Sequence, residues 1–76
     1  MADPVQALIA LAQERPDPKV IANWIAAYLG KRSASARRTA LQALETAFSE
    51  RQKDPAQARV ATLVVRVVQK LLSQNR

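Results

Sequence analysis

The chain has 76 residues, which is enough for one small domain with a single hydrophobic core. It contains no cysteine and no histidine, and this excludes a disulfide framework, a thiolate metal site and the usual general base near neutral pH. The net charge of +6 favours a polyanionic partner, while an apolar fraction of 49% is typical of a globular protein. We therefore expect a single domain over residues 1–76 with no enzymatic activity, no metal and no other cofactor.

Helix start signals recur along the chain. An aspartate followed by proline is favourable at a helix N-terminus, because the carboxylate caps free N–H groups and the proline occupies the first helical position. This pair occurs three times, at Asp3-Pro4, Asp17-Pro18 and Asp54-Pro55. A fourth start is expected at Ser33 or Ser35, just after Gly30, the residue that can adopt the left-handed conformation after a helix.

Apolar residues recur at helical spacing in each segment that these signals delimit. The predicted helices run from about Pro4 to Arg15, from Pro18 to about Leu29, from about Ala36 to Gln52 and from Pro55 to about Ser73. The apolar arc of the fourth helix is so wide that several other helices, or a second copy of the chain, must cover it. The sequence thus predicts an all-α fold, a compact bundle of about four short helices.

Positive charge is concentrated between the second and third predicted helices. Residues 31–53 carry six cations against two carboxylates. A helix N-terminus offers free N–H groups and the positive end of the helix dipole, and arginine adds bidentate contacts to phosphate. We expect these residues to form one anion-binding surface, in which Thr39 supplies a further hydroxyl. The candidate binding residues are Lys31, Arg32, Ser33, Ser35, Arg37 and Arg38.

Other residues have a structural interpretation. Arg59, Arg66 and Lys70 are predicted to form the polar strip of the fourth helix. Trp24 and Tyr28 lie one turn apart, and a core role is favoured over a platform for stacking bases. A merely solvated basic face is the alternative for the charged cluster itself.

Residues 17–48 also resemble part of a known protein family. In this segment an aliphatic helix ends in a leucine and is followed by a turn that contains glycine, basic residues and serine. The next helix opens with arginines and continues Leu-x-x-Leu-x-x-x-Phe. The segment resembles the second helical hairpin of the SAM-like core-binding domain of tyrosine recombinases and phage-type integrases. The matching positions are Ile25, Leu29, Gly30, Ser33, Arg37, Arg38, Leu41, Leu44 and Phe48. The resemblance implies a helical bundle that clamps duplex DNA through its backbone; it does not extend to the catalytic domain, so strand exchange is not expected.

A second resemblance concerns Ile25 to Gly30, which is similar to the first helix and turn of a helix-turn-helix motif. It implies that the following helix enters the major groove with Arg37 and Arg38. The chain departs from that motif at the serine, which comes late, and at Ala36, where a larger aliphatic residue usually packs.

The expected function is therefore a non-catalytic, cytoplasmic DNA-binding domain that contacts backbone phosphates of duplex DNA. The alternative is a helical protein–protein interaction module or designed bundle, with a homodimer formed through the helix at residues 55–73. Exposure of Val64, Val67 and Leu71 would favour that alternative. An amphipathic membrane binder is disfavoured, because few cations flank the apolar arc of the fourth helix.

Overall fold

The structure is a computed structural model that describes residues 3–74. This part of the chain contains four helices. They are α1 (Pro4–Glu14), α2 (Pro18–Leu29), α3 (Ala34–Arg51) and α4 (Ala58–Gln74). The predicted all-α bundle is confirmed. Both limits of α2, and the C-terminal ends of the other three helices, lie within one residue of the predicted positions. The starts of α3 and α4 differ from the predicted starts by more than one residue.

The first two helices begin as their sequences predict. The Asp3 carboxylate accepts a hydrogen bond from the Val5 N–H, and Asp17 accepts one from the Lys19 N–H, both at 2.9 Å. Each following proline occupies the start of its helix, where the missing N–H leaves no bond unmade. These local caps set where α1 and α2 begin.

The connection from α2 to α3 depends on Gly30 and Ser33. Gly30 has the expected positive φ of 57°, but its ψ of −133° lies outside the left-handed helical region that we anticipated. Only glycine adopts this backbone geometry without strain. Ser33 then caps α3, its Oγ accepting from the Ala36 N–H at 3.2 Å, so α3 begins at Ala34 rather than at the predicted Ala36.

The predicted start of α4 at Pro55 is wrong. The Asp54 carboxylate accepts from the Ala56 N–H at 3.0 Å, and the Gln57 N–H bonds the Asp54 carbonyl at 3.0 Å. A hydrogen bond between residues three apart in the chain closes a tight turn, whereas an α-helix requires hydrogen bonds between residues four apart. The first such bond here runs from the Ala61 N–H to the Gln57 carbonyl at 2.8 Å. The Asp-Pro pair therefore caps a turn, and α4 begins at Ala58.

Helix α4 lies at the centre of the bundle and packs against α1, α2 and α3. The middle of its wide apolar arc is covered within a single chain: Val64 and Val68 are fully buried, and Val67 is only 6% exposed. The flanking Val60, Leu63, Leu71 and Leu72 are partly buried. The buried residues of the other helices follow the predicted spacing. They are Leu8, Ile9, Ala12, Ile21, Ile25, Leu29, Leu41, Leu44 and Phe48.

Candidate nucleic-acid interface

The predicted basic residues gather at one end of α3. Lys31 and Arg32 lie in the connection from α2, Arg37 and Arg38 lie near the start of α3, and all four are exposed. Within residues 3–74 one ion pair occurs, between Lys53 and Glu50 at the opposite end of α3. No carboxylate in this range therefore neutralises the four cations by direct pairing.

These cations do not all share one surface, in contrast to the expectation from the sequence. Arg32 lines a groove of about 470 Å³ between the start of α1, the end of α2 and α3. Arg37 lines a separate hollow of about 210 Å³, together with Leu29 and Leu71. Successive residues of a helix are about 100° apart, so Arg37 and Arg38 also diverge. We call the four exposed cations at this end of the helix the ring around the start of α3.

The hydroxyl groups in this region have different roles. Ser33 Oγ accepts the capping hydrogen bond and still has its own hydrogen to donate. Ser35 is exposed in the first turn of α3. Thr39 Oγ1 donates to the Ser35 carbonyl at 3.1 Å, so its hydrogen is used within the helix. Of the three hydroxyls, those of Ser33 and Ser35 are the ones suited to donate to a phosphate.

Trp24 and Tyr28 do not lie in the core. Ile21, Ile25 and Leu29 form the buried row of α2, each one turn from the next. Trp24 and Tyr28 belong to the adjacent row, where Trp24 is half-buried against the core and Tyr28 is 36% exposed. The prediction of a core role is therefore wrong for Tyr28, because its row of side chains lies at the edge of the apolar face of α2.

The exposed tyrosine belongs to a column of three side chains. Its ring stacks on Trp24 with the centroids 5.5 Å apart and the planes 13° from parallel. The guanidinium carbon of Arg32 lies 5.1 Å from the Tyr28 ring centroid, a cation–π contact. A base that stacked on the Tyr28 face covered by Arg32 would have to displace the guanidinium. The Tyr28 aromatic ring thus holds Arg32 in a cation–π contact and does not offer this face for stacking a base.

The cations of α4 lie mainly as predicted, with Arg59, Arg66 and Lys70 all exposed. Lys70 also lines a hollow of about 210 Å³ with Lys19 at the start of α2. Sequence reasoning did not connect these two lysines, since they are distant in the chain and no local motif includes both. Only the packing of α2 against α4 brings them to the same hollow.

No group of three or more carboxylates in residues 3–74 is placed to hold a metal ion. None of the helices in this range has the length and apolar character needed to cross a membrane.

Comparisons with known proteins add no functional assignment. No protein-family model, curated protein or solved structure matches the chain.

Proposed function

We propose that this chain is a non-catalytic DNA-binding domain that contacts duplex DNA mainly through its backbone phosphates. Lys31, Arg32, Arg37 and Arg38 supply the charge, and Ser33 supplies a neutral donor. The observation that carries the proposal is the ring of exposed cations around the start of α3, without a carboxylate of the described residues within 4.0 Å. Phosphate contacts of this kind position a protein on DNA without reading its sequence.

Part of the placement of these cations is unfavourable for the isolated helix. Arg37 lies at the end of the first turn of α3, where a cation opposes the positive end of the helix dipole, whereas Lys31 and Arg32 follow the C-terminus of α2, where cations are favourable. The neighbouring cations also repel one another. A bound phosphate would reverse both effects, because its negative charge is attracted by the cations and by the N-terminal end of α3. The arrangement is thus better suited to an anionic partner than to a solvated surface.

The resemblance to recombinase core-binding domains fits this proposal better than a helix-turn-helix does. Ala36, which occupies the position where a helix-turn-helix packs a larger aliphatic residue, is exposed. Arg37 lies beside Leu29 and Leu71, at the edge of the bundle. Both positions favour contact with the DNA backbone over insertion of α3 into the major groove.

A helical interaction module has weaker support. That alternative required Val64, Val67 and Leu71 to be available to a partner. Val64 is fully buried and Val67 nearly so, while Leu71 is partly buried against the core. The apolar surface of α4 is therefore used mainly by the fold itself.

Titration of the protein with duplex DNA, single-stranded DNA and heparin over a series of salt concentrations tests the proposal. If each of the four cations in the ring contacts one phosphate, together they should contribute about −3.6 to the slope of log K against log salt for the duplex. Fluorescence anisotropy of labelled DNA measures it. The duplex should bind more tightly than the single strand. Absence of duplex binding at low salt would contradict the proposal, and a stronger preference for heparin would indicate a generic polyanion binder.

Tyr28 should contribute to this affinity by holding the Arg32 guanidinium in place. Tyr28→Phe keeps an aromatic face for the cation–π contact and should bind duplex DNA like the parent. Tyr28→Leu removes that contact and should weaken binding about two- to fivefold, which corresponds to the 0.5–1 kcal/mol expected of an exposed cation–π pair. In an Arg32→Ala background the two Tyr28 variants should bind equally. A loss that persisted in that background would show that Tyr28 acts independently of Arg32.

A further inference from the structure

Two hollows adjoin along the interface between α2 and α4. One is lined by Ala26 of α2 and by Arg37, and its volume is about 210 Å³. The other has the same volume and is lined by Ala22, Lys19 and Lys70. The α4 residues common to both hollows are Leu71 and Gln74. The two hollows are thus neighbours along α4, and together we call them the α2–α4 groove.

The dimensions of the α2–α4 groove suit a stretch of nucleic-acid backbone. It follows α2 from Pro18 to Leu29, a length of about 17 Å at 1.5 Å per residue. This length can follow only a short stretch of one DNA strand, because successive phosphates wind around the duplex axis rather than lie along it. Its α2 wall contains Ala22 and Ala26, one turn apart, and these small side chains allow a close approach.

Cations lie at both ends of the α2–α4 groove. Arg37 lines it at the α3 end, and Lys19 and Lys70 line it at the other. No carboxylate lines either hollow, and in the described part of the chain neither lysine lies within 4.0 Å of one. The nearest acid in the sequence, Asp17, is exposed and caps α2 through the Lys19 N–H. Two ammonium groups lining one hollow repel each other, and an anion between them would relieve that repulsion.

We propose that the α2–α4 groove is a second contact surface for the sugar–phosphate backbone of the same DNA duplex. This proposal rests on the proposed function and extends it, because Arg37 belongs both to the ring around α3 and to the groove. Lys19 and Lys70 bind phosphate oxygens as point charges, and the Gln74 amide adds a neutral donor. The backbone therefore continues from the start of α3 along α2 to Lys19.

A pair of double variants with the same change in charge tests the groove. Lys19→Gln with Lys70→Gln removes two cations from it, and Arg59→Gln with Arg66→Gln removes two exposed cations that line neither hollow. The lysine variant should flatten the salt slope for duplex DNA by about 1.8 and weaken binding about 10- to 60-fold at 0.1 M salt. The arginine variant should keep the parent slope and change affinity less than threefold. Each single lysine variant should give about half of the slope change.

The outcomes separate the two proposals. If the parent binds duplex DNA and both double variants lose the same affinity, only net charge matters and the groove is not a contact surface. If the parent does not bind duplex DNA, the proposed function fails and the groove proposal fails with it. All of the replaced side chains are exposed, so thermal unfolding midpoints should match the parent and exclude misfolding as the cause.

Discussion

Replacing Arg37 and Arg38 by alanine should weaken binding to duplex DNA of any sequence and flatten the salt slope by about two units. Each arginine that neutralises a phosphate releases counterions from the DNA, and this release is the source of the salt dependence. Because the contacts are to phosphates, the loss should be similar for unrelated duplexes. Anisotropy titrations of two such duplexes between 50 and 200 mM salt measure both the affinity and the slope.

Folding can be separated from binding in this experiment. The two arginines lie near the N-terminal end of α3, where positive charge opposes the helix dipole, so the double variant should be as stable as the parent or slightly more so. Arg37→Lys with Arg38→Lys keeps the charge and should retain most of the slope while losing bidentate contacts. Lys53→Ala, at the far end of α3, serves as the control. Titration curves of the alanine double variant that coincide with those of the parent would place the binding surface elsewhere.

Phe48→Ala should lower the free energy of unfolding by about 3–5 kcal/mol, a large part of the stability of this domain. The Phe48 side chain is fully buried in the core, and this is the usual cost of truncating a buried phenylalanine. A domain of this length has a total stability of about 4–11 kcal/mol, estimated at 0.05–0.15 kcal/mol per residue. Urea denaturation followed by circular dichroism and by Trp24 fluorescence gives the free energy of unfolding.

Thr46→Ala is a matched control for Phe48→Ala on the same helix. Thr46 is exposed and donates to the Gln42 carbonyl at 3.0 Å, a bond inside the helix that contributes little to the core. Its replacement should change the free energy of unfolding by less than about 0.5 kcal/mol. A loss below about 1 kcal/mol for Phe48→Ala would mean that the core can collapse around the missing ring.

Much of the fold could be predicted from local sequence. The caps at Asp3, Asp17 and Ser33 act on N–H groups only two or three residues away, so the sequence contains all that is needed to place them. The Asp54-Pro55 pair has the same signal but caps a turn. The difference arises from the tight three-residue bonds that link the end of α3 to that turn, and spacing alone does not predict them.

The candidate interface could be predicted less completely. The residues of the ring around α3 are close in the chain, and their composition indicates an anionic partner. Arg32, in the connection from α2, and Arg37, on α3, line different hollows, and composition alone does not predict this separation. Lys19 and Lys70 come together only through packing of α2 on α4, so a motif search could not find them.

The scarcity of ion pairs gives salt two opposing effects on this protein. With a net charge of +6 and a single carboxylate–ammonium pair in residues 3–74, the folded chain repels itself. Added electrolyte shortens the range of that repulsion and should make the native state harder to unfold. If the domain binds DNA as proposed, the same electrolyte should weaken the complex. The complex should then be tightest where the free domain is least stable, and the bound polyanion should stabilise the fold.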